Sequence, residues 1–429
     1  MIHSLTIKNF LSYKNEETFS FEATNDEYLE DTHVVEVASG VRLLKFGVIY
    51  GANASGKSNL LEAFDFLRHL VFSIPDSKDE NIDLVPFRLD NYSENETSYF
   101  NLIFYVEGKK FDYSLKIKQS IIEEEKLLYY PSIRPKLVFH RTHESISKIE
   151  YGAGIKLSVS AKNEISVKCL PNMSVFASYN QVNVEVFEME KAIKWLQKQF
   201  MRVIEPDMDE SLHRYVDGLI NKDDAIKGEI LKYLQEADFN ISNIHTEIIK
   251  EKIPDLFISA MLEDSNFPSK EKERIKKEKT FEVPKTEFEH EVFDDNGKAS
   301  YYKLPTRLQS QGTKRTFELS GPIIQAIEKD AFLAIDEVES KLHPLLIEYI
   351  IQKFLLDSKE SQLLVTTHYD GLLDEEDLLR KDNIWFTEKD KSGSTKLYSL
   401  ANFKAVNRIS SLLKAYKYGK FGAIPNFDR

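Results

Sequence analysis

The sequence predicts an α/β fold around a phosphate-binding loop, with a mixed β-sheet and an inserted, mainly helical domain. A glycine-rich loop lies between a strand-like run and a helix-like run, as a nucleotide-binding α/β unit requires. A second apolar run ends in two adjacent carboxylates, Asp336 and Glu337. Because Ser58 of the loop and Asp336 are 278 residues apart in the 429-residue chain, we expect a large insertion between two parts of one core.

The loop, residues 51–58, reads GANASGKS and matches the pattern G-x-x-x-x-G-K-[ST] in full. Residues 43–50 have the composition of a buried strand, and residues 59–70 have helical spacing, so a simple glycine-rich surface turn is a weaker interpretation. In such a loop, backbone N–H groups and a helix N-terminus surround phosphates. We expect Lys57 to reach the β- and γ-phosphates of ATP and Ser58 to bind Mg²⁺. The other predicted nucleotide-binding residues of this segment are Gly51, Asn53, Ala54, Ser55, Gly56 and Asn59.

The composition limits the protein class. The net charge is −13, which argues against a generally basic protein that coats nucleic acid, although a local basic patch could be hidden by that sum. The one cysteine, Cys169, cannot form an internal disulfide, as is usual in a reducing cytoplasm. The sequence shows neither a signal peptide nor an apolar run long enough to cross a membrane, so we expect a cytoplasmic protein with no membrane partner.

The change of hydrophobic period along the chain predicts three segments. Residues 1–183 alternate like strands and contain the phosphate loop, so we assign them to the first lobe of a nucleotide-binding core. Residues 184–300 are predicted to form the inserted helical (α+β) domain, with helices over 210–219 and 224–236 and an excess of carboxylates. Residues 301–429 are predicted to form the second lobe.

The second lobe supplies the remaining predicted site residues. Residues 331–337 read AFLAIDE, a strand that ends in two carboxylates; alone, this pattern is as often a strand-ending turn. Beside a phosphate loop, Asp336 would hold Mg²⁺ and Glu337 would act as the general base toward the attacking water. A third apolar run, QLLVTTH, ends at His368, where a residue that contacts the γ-phosphate would stand.

A short motif precedes the carboxylate strand. Residues 308–315 read LQSQGTKR and lead into a helix-like run. Ser310, Gly312 and Thr313 would present a hydroxyl and free N–H groups, which can bind a phosphate. An ordinary N-capped helix would account for the same sequence. On this short motif alone, that interpretation is favoured over a phosphate site.

The order of these motifs resembles the ABC-type ATPase heads of the SMC, RecF and OLD group, whose head is also split by a long insert. The resemblance implies an ABC-type P-loop ATPase head that acts as a homodimer or a higher homo-oligomer, with ATP between two heads. It implies that Ser310 and Gly312 of one subunit contact the γ-phosphate held by the loop of the other. His368 would be the switch histidine, and Ser340 and Lys341 would lie in the loop that communicates across the dimer.

Residues 396–425 resemble the C-terminal stretch of stand-alone ATPases in bacterial anti-phage defence operons of the Rlo and AbiL type, and more loosely the PARIS-type ATPase. That resemblance implies a regulatory or sensor subunit whose effector, a nuclease or toxin, is a separate protein. The tail itself has an apolar helical face from Val406 to Tyr416, which core packing would explain equally well. Two other functions stay open: a RecF-like or SMC-like repair ATPase that clamps DNA, and a nucleotide-binding scaffold that scarcely hydrolyses ATP.

Overall fold

The computed structural model describes all residues except 145, 238, 253–257, 259–268, 405, 407–408 and 426–429. Its strands are β1 Ile2–Lys8, β2 Glu17–Ser20, β3 Val34–Ala38, β4 Val41–Leu44, β5 Phe46–Gly51, β6 Ser98–Val106, β7 Lys109–Lys118, β8 Ile121–Tyr130, β9 Lys136–His143, β10 Ser147–Tyr151, β11 Asn243–Lys252, β12 Thr280–Phe293, β13 Ala299–Pro305, β14 Phe332–Ile335, β15 Gln362–Thr366, β16 Ile384–Lys389 and β17 Thr395–Ser399. Its α-helices are α1 Glu30–His33, α2 Lys57–Phe72, α3 Val159–Lys168, α4 Val175–Tyr179, α5 Phe187–Lys198, α6 Asp209–Ile220, α7 Asp224–Glu236, α8 Ser269–Glu278, α9 Gln311–Glu328, α10 Pro344–Asp357 and α11 Leu412–Lys417. Within the described residues, no helix has the length and apolar character needed to cross a membrane.

The described residues form two compact units. The first comprises Met1–Pro206, Gln325–Ser340 and Pro344–Arg429, and the second comprises Asp207–Ile324 and Lys341–His343. The two are described separately below.

The centre of the first unit is a five-stranded sheet in the order β14-β15-β5-β16-β17. The first four strands are parallel, and β17 pairs antiparallel with β16. This mixed sheet, with the strand before the phosphate loop at its centre, confirms the predicted α/β fold class. Because parallel strands end at a common edge, the segments that follow β5, β14, β15 and β16 come together there.

A second, seven-stranded antiparallel sheet of the first unit has the order β10-β9-β8-β7-β6-β1-β2. Helix α2 contacts strands of both sheets through its aromatic residues. The Phe66 ring stacks on Phe100 of β6 with 5.0 Å between centroids, and the Phe64 ring lies 4.9 Å from Phe332 of β14. The helix that begins at the phosphate loop is therefore held in one continuous apolar core.

The first unit extends further along the chain than the sequence predicts. Helix α5, predicted to open the insert at residue 184, belongs to the first unit because Trp195 stacks on Phe104 of β6, 4.5 Å between centroids. After α5, Phe200 and Ile204 form parallel bridges to β14. Helical periodicity in the sequence shows that one face of α5 is buried but not which part of the protein covers it. The hydrophobic pattern therefore could not locate the boundary between the first lobe and the insert.

The second unit is an α+β structure. Strands β11, β12 and β13 form an antiparallel sheet, and helices α6 and α7 share an apolar core with it. Phe288 of β12 packs edge-on against Phe317 of α9, 5.1 Å between centroids, beside Val216 of α6. The main segment of this unit runs to Ile324, beyond the predicted boundary at residue 300, because β13 pairs with β12 and the first part of α9 completes this core.

The tail contains a shorter helix than its apolar face predicts. Helix α11 begins after Ser411, whose hydroxyl accepts the backbone N–H of Lys414 at 3.1 Å. Its Tyr416 ring stacks on Phe386 of β16, 5.7 Å between centroids, which is the core packing that the sequence allowed. Residues 407–408, near the start of the predicted face, lie outside the described part of the chain.

The core of the second unit contains an acidic residue, Asp217 of α6, which is 2% exposed. Its carboxylate accepts a hydrogen bond from the Thr286 hydroxyl at 2.5 Å and lies 3.6 Å from His213 Nε2. Burial raises the pKa of Asp217 to about 6, and the Thr286 hydrogen bond opposes that rise only in part. The folded unit therefore retains a proton on this carboxyl above the pH at which the unfolded chain releases it.

We expect the Asp217→Asn variant to match the wild type in the stability of the second unit near pH 4 and to exceed it at pH 7.5. The wild type loses on the order of 3 kcal/mol as the pH rises from about 4 through 6, since the folded state must then bury a charge, and asparagine has none to bury. Hydrogen exchange of β12 amides, corrected for intrinsic rates, measures the difference. The exposed Glu229→Gln on α7 is the control, and a pH-independent difference for Asp217→Asn would contradict the account.

Candidate nucleotide-binding site

The loop between β5 and α2 has a backbone that forms an anion cradle. Ala54 and Gly56 adopt φ angles of 61° and 107°, and Gly56 is the residue before the first turn of α2. No side chain caps this helix N-terminus. Its first N–H groups, together with the positive end of the helix dipole, are therefore available to an anion.

Two threonines from the C-terminal part of the chain, Thr387 and Thr395, hydrogen-bond to Ser55 of the loop. Ser55 Oγ lies 2.6 Å from Thr387 Oγ1 of β16, and the Thr395 hydroxyl of β17 donates to the Ser55 carbonyl at 2.8 Å. A Cβ on Gly51 would come within 2.4 Å of the Thr387 hydroxyl, and one on Gly56 within 2.3 Å of the Thr395 hydroxyl. Packing thus requires both glycines, and the positive φ of Gly56 requires that glycine by conformation as well.

The Lys57 ammonium is held at the edge of the loop by backbone carbonyls. Lys57 Nζ donates to the carbonyls of Gly51 at 2.9 Å and Ala52 at 3.3 Å, and it lies 3.2 Å from His368 Nε2. Burial lowers the pKa of Lys57, and the Asp336 carboxylate opposes that effect most strongly among its neighbours. This arrangement brings the loop lysine and the strand-end histidine into contact, and it leaves the lysine without a hydrogen bond to an anion among the described residues.

The carboxylate pair after β14 is fixed by a threonine of the adjacent strand. The Thr366 hydroxyl donates to Asp336 Oδ1 and accepts the Glu337 backbone N–H at 2.8 Å. Glu337 adopts a φ of 46°, which is uncommon for a residue other than glycine and is typically maintained only where the surroundings enforce it. Thr366 therefore fixes the Asp336 carboxylate and the Glu337 backbone, a role that the two threonines before His368 did not indicate in the sequence.

Most of the predicted residues line one cavity of about 360 Å³ in the first unit. It is lined by Asn53, Ala54, Ser55, Gly56, Lys57, Ser58, Asn59, Glu337, His368 and Lys389. Gly51 contributes its carbonyl to Lys57, and Asp336 is only 8% exposed. Lys389, the last residue of β16, reaches the cavity because β16 is parallel to β5, and sequence analysis did not predict it.

The donor set fits a phosphate chain accompanied by a hard divalent cation. The cradle offers N–H groups, a lysine and a hydroxyl to phosphate oxygens, and a buried carboxylate stands nearby. Among the described residues, no group of three His, Cys, Asp or Glu side chains could hold a metal ion by itself. Mg²⁺ commonly takes only one or two protein ligands and completes its shell with water and substrate phosphates, so Ser58 and Asp336 fit such a role.

The predicted phosphate-binding residues at the start of α9, Ser310, Gly312 and Thr313, belong to the second unit. Ser310 Oγ accepts the backbone N–H of Thr313 at 3.0 Å and lies 2.8 Å from the Thr313 hydroxyl, which is an N-terminal cap. A Cβ added to Gly312 would meet the Lys341 carbonyl at an ordinary 3.5 Å. The capping contact expected from the alternative interpretation is present, and none of the three residues lines the cavity of the first unit.

Comparison with known proteins gives a family and several distant structural likenesses. No curated protein sequence matches the chain significantly. An SMC head bound to the C-winged helix domain of ScpA is 13% identical, with a TM-score of 0.46 and coverage of 96% of this chain and 99% of the other. An SMC head domain from Thermotoga maritima is 14% identical, with a TM-score of 0.40 and coverage of 93% and 98%. A third, an SMC head with an extended coiled coil bound to the C-terminal domain of ScpA, derived from Pyrococcus furiosus, is 14% identical, with a TM-score of 0.41 and coverage of 98% of both chains.

These structural scores are too low to support an inference about what this chain binds. The family match is stronger, because one family model covers residues 46–150 and 203–374, more than half of the chain, and includes both the phosphate loop and the carboxylate strand. The chain therefore belongs to the family described as "AAA domain, putative AbiEii toxin, Type IV TA system".

Proposed function

We propose that the chain is an ATPase and that it serves as the regulatory or sensor subunit of a bacterial anti-phage system, controlling a separately encoded effector in the cytoplasm. One observation carries the ATPase part. Lys57, Glu337 and His368 line the same cavity, together with the uncapped N-terminus of α2. A cation, a carboxylate and an imidazole around an anion cradle are the groups that phosphoryl transfer to water requires.

ATP binding is assigned to the loop and its lysine. The N–H groups of residues 53–58 surround the phosphates, and Lys57 exchanges its two backbone carbonyls for the β- and γ-phosphate oxygens. That exchange is favourable because the buried ammonium gains charged partners in place of neutral ones. Ser58 and Asp336 would hold a Mg²⁺ ion, which would supply positive charge to the phosphate oxygens.

Hydrolysis is assigned to Glu337 and His368. Glu337 accepts the proton of the attacking water, and Thr366 holds its backbone for that task through the 2.8 Å hydrogen bond. His368 contacts the γ-phosphate once Lys57 has turned away from its ring, which leaves Nε2 free. Release of the γ-phosphate therefore changes the partners of both Lys57 and His368.

The third part of the proposal is a composite site between two copies of the chain. Ser310, Gly312 and Thr313 of one copy contact the γ-phosphate held by the loop of the other, as the resemblance to ABC-type heads implies. Ser340 and Lys341 communicate between the two sites. The N-terminus of α9 supports this assignment, since the positive end of a helix dipole attracts an anion.

The defence role rests on two observations. The family description names an AbiEii toxin and a type IV toxin–antitoxin system, and the tail resembles that of ATPases from defence operons. A cycle of ATP binding and hydrolysis can change the affinity for a partner, provided that the partner binds the two states unequally. We propose a nuclease or a toxin as that partner.

A DNA clamp is the second candidate, and one observation favours it. A cleft of about 800 Å³ in the first unit has four lysines, Lys191, Lys194, Lys198 and Lys329, and three carboxylates, Glu107, Asp330 and Glu360, among its lining residues. Glu107 neutralises one of them, since its carboxylate lies 2.5 Å from Lys191 Nζ. Polyanion binding would be strongly salt-dependent, which separates this function from control of a protein effector.

We expect Lys57→Ala to weaken ATP binding by on the order of 10²-fold, because the phosphates lose a charge-assisted hydrogen-bond donor. Equilibrium titration with a fluorescent ATP analogue measures the loss. Lys8→Ala, an exposed lysine at the end of β1, is the matched control. Equal affinity for the wild type and Lys57→Ala would refute the assignment of the loop.

Glu337→Gln should bind ATP with Mg²⁺ and hydrolyse it about 10² to 10⁴ times more slowly, since only the general base is removed. Phosphate release under saturating ATP gives the rate, and size-exclusion chromatography with light scattering shows whether ATP-bound dimers accumulate. Wild-type turnover in this variant would mean that another group activates the water.

Two inactive variants should restore partial ATPase activity when mixed. Ser310→Arg places a bulky cation at the proposed γ-phosphate contact, and Lys57→Ala disables the loop. A mixed dimer retains one site with an intact loop and an intact Ser310, so up to about half of the activity per dimer returns if the sites are shared between copies. Verified mixed dimers without activity would instead indicate a site complete within one chain.

Co-expression tests the effector. Purification of the tagged chain together with the product of its neighbouring gene should recover both, and Glu337→Gln should change their ratio because it stalls the ATP-bound state. A chain that purifies alone and binds duplex DNA with steep salt dependence would favour the clamp. In that case, Lys194→Glu with Lys198→Glu should weaken DNA binding.

A further inference from the structure

A third carboxylate stands at the candidate site, two residues after Glu337. Glu339 Oε1 accepts the backbone N–H of His368 at 2.6 Å. Its other oxygen, Oε2, is buried and has no hydrogen-bond partner among the described residues. Neither the Asp-Glu pair nor the strand-end histidine pattern predicts a role for this residue.

The Glu339 contact fixes a residue that the sheet itself leaves free. Strand β15 ends at Thr366, and the His368 N–H donates to the Glu339 carboxylate rather than to a backbone carbonyl. On either side, Thr367 N donates to the Ile49 carbonyl at 3.2 Å and Tyr369 N to the Thr367 hydroxyl at 2.9 Å. Glu339 thus holds the His368 backbone at the first residue beyond the sheet hydrogen bond of Thr367.

The charge of Glu339 also acts on the cavity. Among the carboxylates that raise the pKa of Lys57, Asp336 has the largest effect and Glu339 the next, ahead of Glu337. A buried carboxylate oxygen without a hydrogen bond destabilises the folded state, and such exceptions in native structures call for an explanation. Glu339 therefore lies close enough to Lys57 to act on its charge. Its unpartnered buried oxygen destabilises the fold, and packing alone gives no reason to keep a carboxylate at this position.

We propose that Glu339 is a positioning residue for the proposed ATP hydrolysis: by accepting the His368 backbone N–H, it sets the reach of His368 Nε2 toward the γ-phosphate. This inference rests on the proposed function. It assigns Glu339 no contact with substrate and no proton transfer. If it is correct, removal of the Glu339 carboxylate and removal of the His368 ring both impair the contact of His368 with the γ-phosphate.

A double-mutant cycle tests the proposal. Glu339→Ala, His368→Ala and the double variant are compared for kcat and for the ratio of ATPγS to ADP affinity, both measured with Mg²⁺. We expect Glu339→Ala to lower kcat by up to about 10²-fold, as small misplacements of a catalytic group do, and to lower the affinity ratio without changing ADP affinity. The double variant should be no worse than His368→Ala.

Two further variants separate positioning from a general structural role. Glu339→Gln retains an oxygen that can accept the His368 N–H, so it should recover most of kcat and of the affinity ratio. Glu348→Ala removes a carboxylate that accepts the Tyr369 hydroxyl at 3.0 Å, one residue beyond His368, and should leave both quantities unchanged.

Three results would overturn the inference: effects of Glu339→Ala and His368→Ala that multiply in the double variant, a Glu339→Gln variant as impaired as Glu339→Ala, or a loss of thermal stability with unchanged kcat. Failure of the proposed function itself has a different signature, because the wild type would then neither bind ATP nor release phosphate.

Discussion

Parallel pairing of β5 with β15 and β16 is the constraint on which the candidate site depends. It brings the ends of strands that begin at residues 46, 332, 362 and 384 to one edge of the sheet. Residues that are hundreds of positions apart thereby line a single cavity. Any change that moved β15 or β16 by one residue would turn His368 or Thr387 to the opposite face, because side chains alternate along a strand.

The same packing explains the state of the loop lysine. Thr387 and Thr395 close the loop from behind, and the resulting burial makes the Lys57 ammonium costly unless polar groups surround it. Two carbonyls of the loop supply that environment. Neutral carbonyl oxygens stabilise a buried ammonium less than charged phosphate oxygens do. The loop can therefore accept an anion without rearranging its backbone.

Local patterns predicted much of this site, and long-range pairing explains what they missed. Lys57, Asp336, Glu337 and His368 each follow a strand-like run, and such strand ends are recognisable in the sequence. The contribution of Thr387 and Thr395 arises only from strand pairing across more than 300 residues, and no nearby motif marks it. A glutamate two residues after an Asp-Glu pair is equally inconspicuous until its contact with the His368 backbone is seen.

The central claim is that the cavity at residues 53–59 holds the phosphates of ATP. The most direct measurement is a structure of the wild-type chain with Mg²⁺ and a non-hydrolysable ATP analogue at saturation. The account predicts phosphate oxygens at the N–H groups of this loop, with Lys57 Nζ moved from the Gly51 and Ala52 carbonyls to the β- and γ-phosphates. An analogue bound elsewhere, or a Lys57 that keeps both carbonyl contacts beside it, would contradict the account.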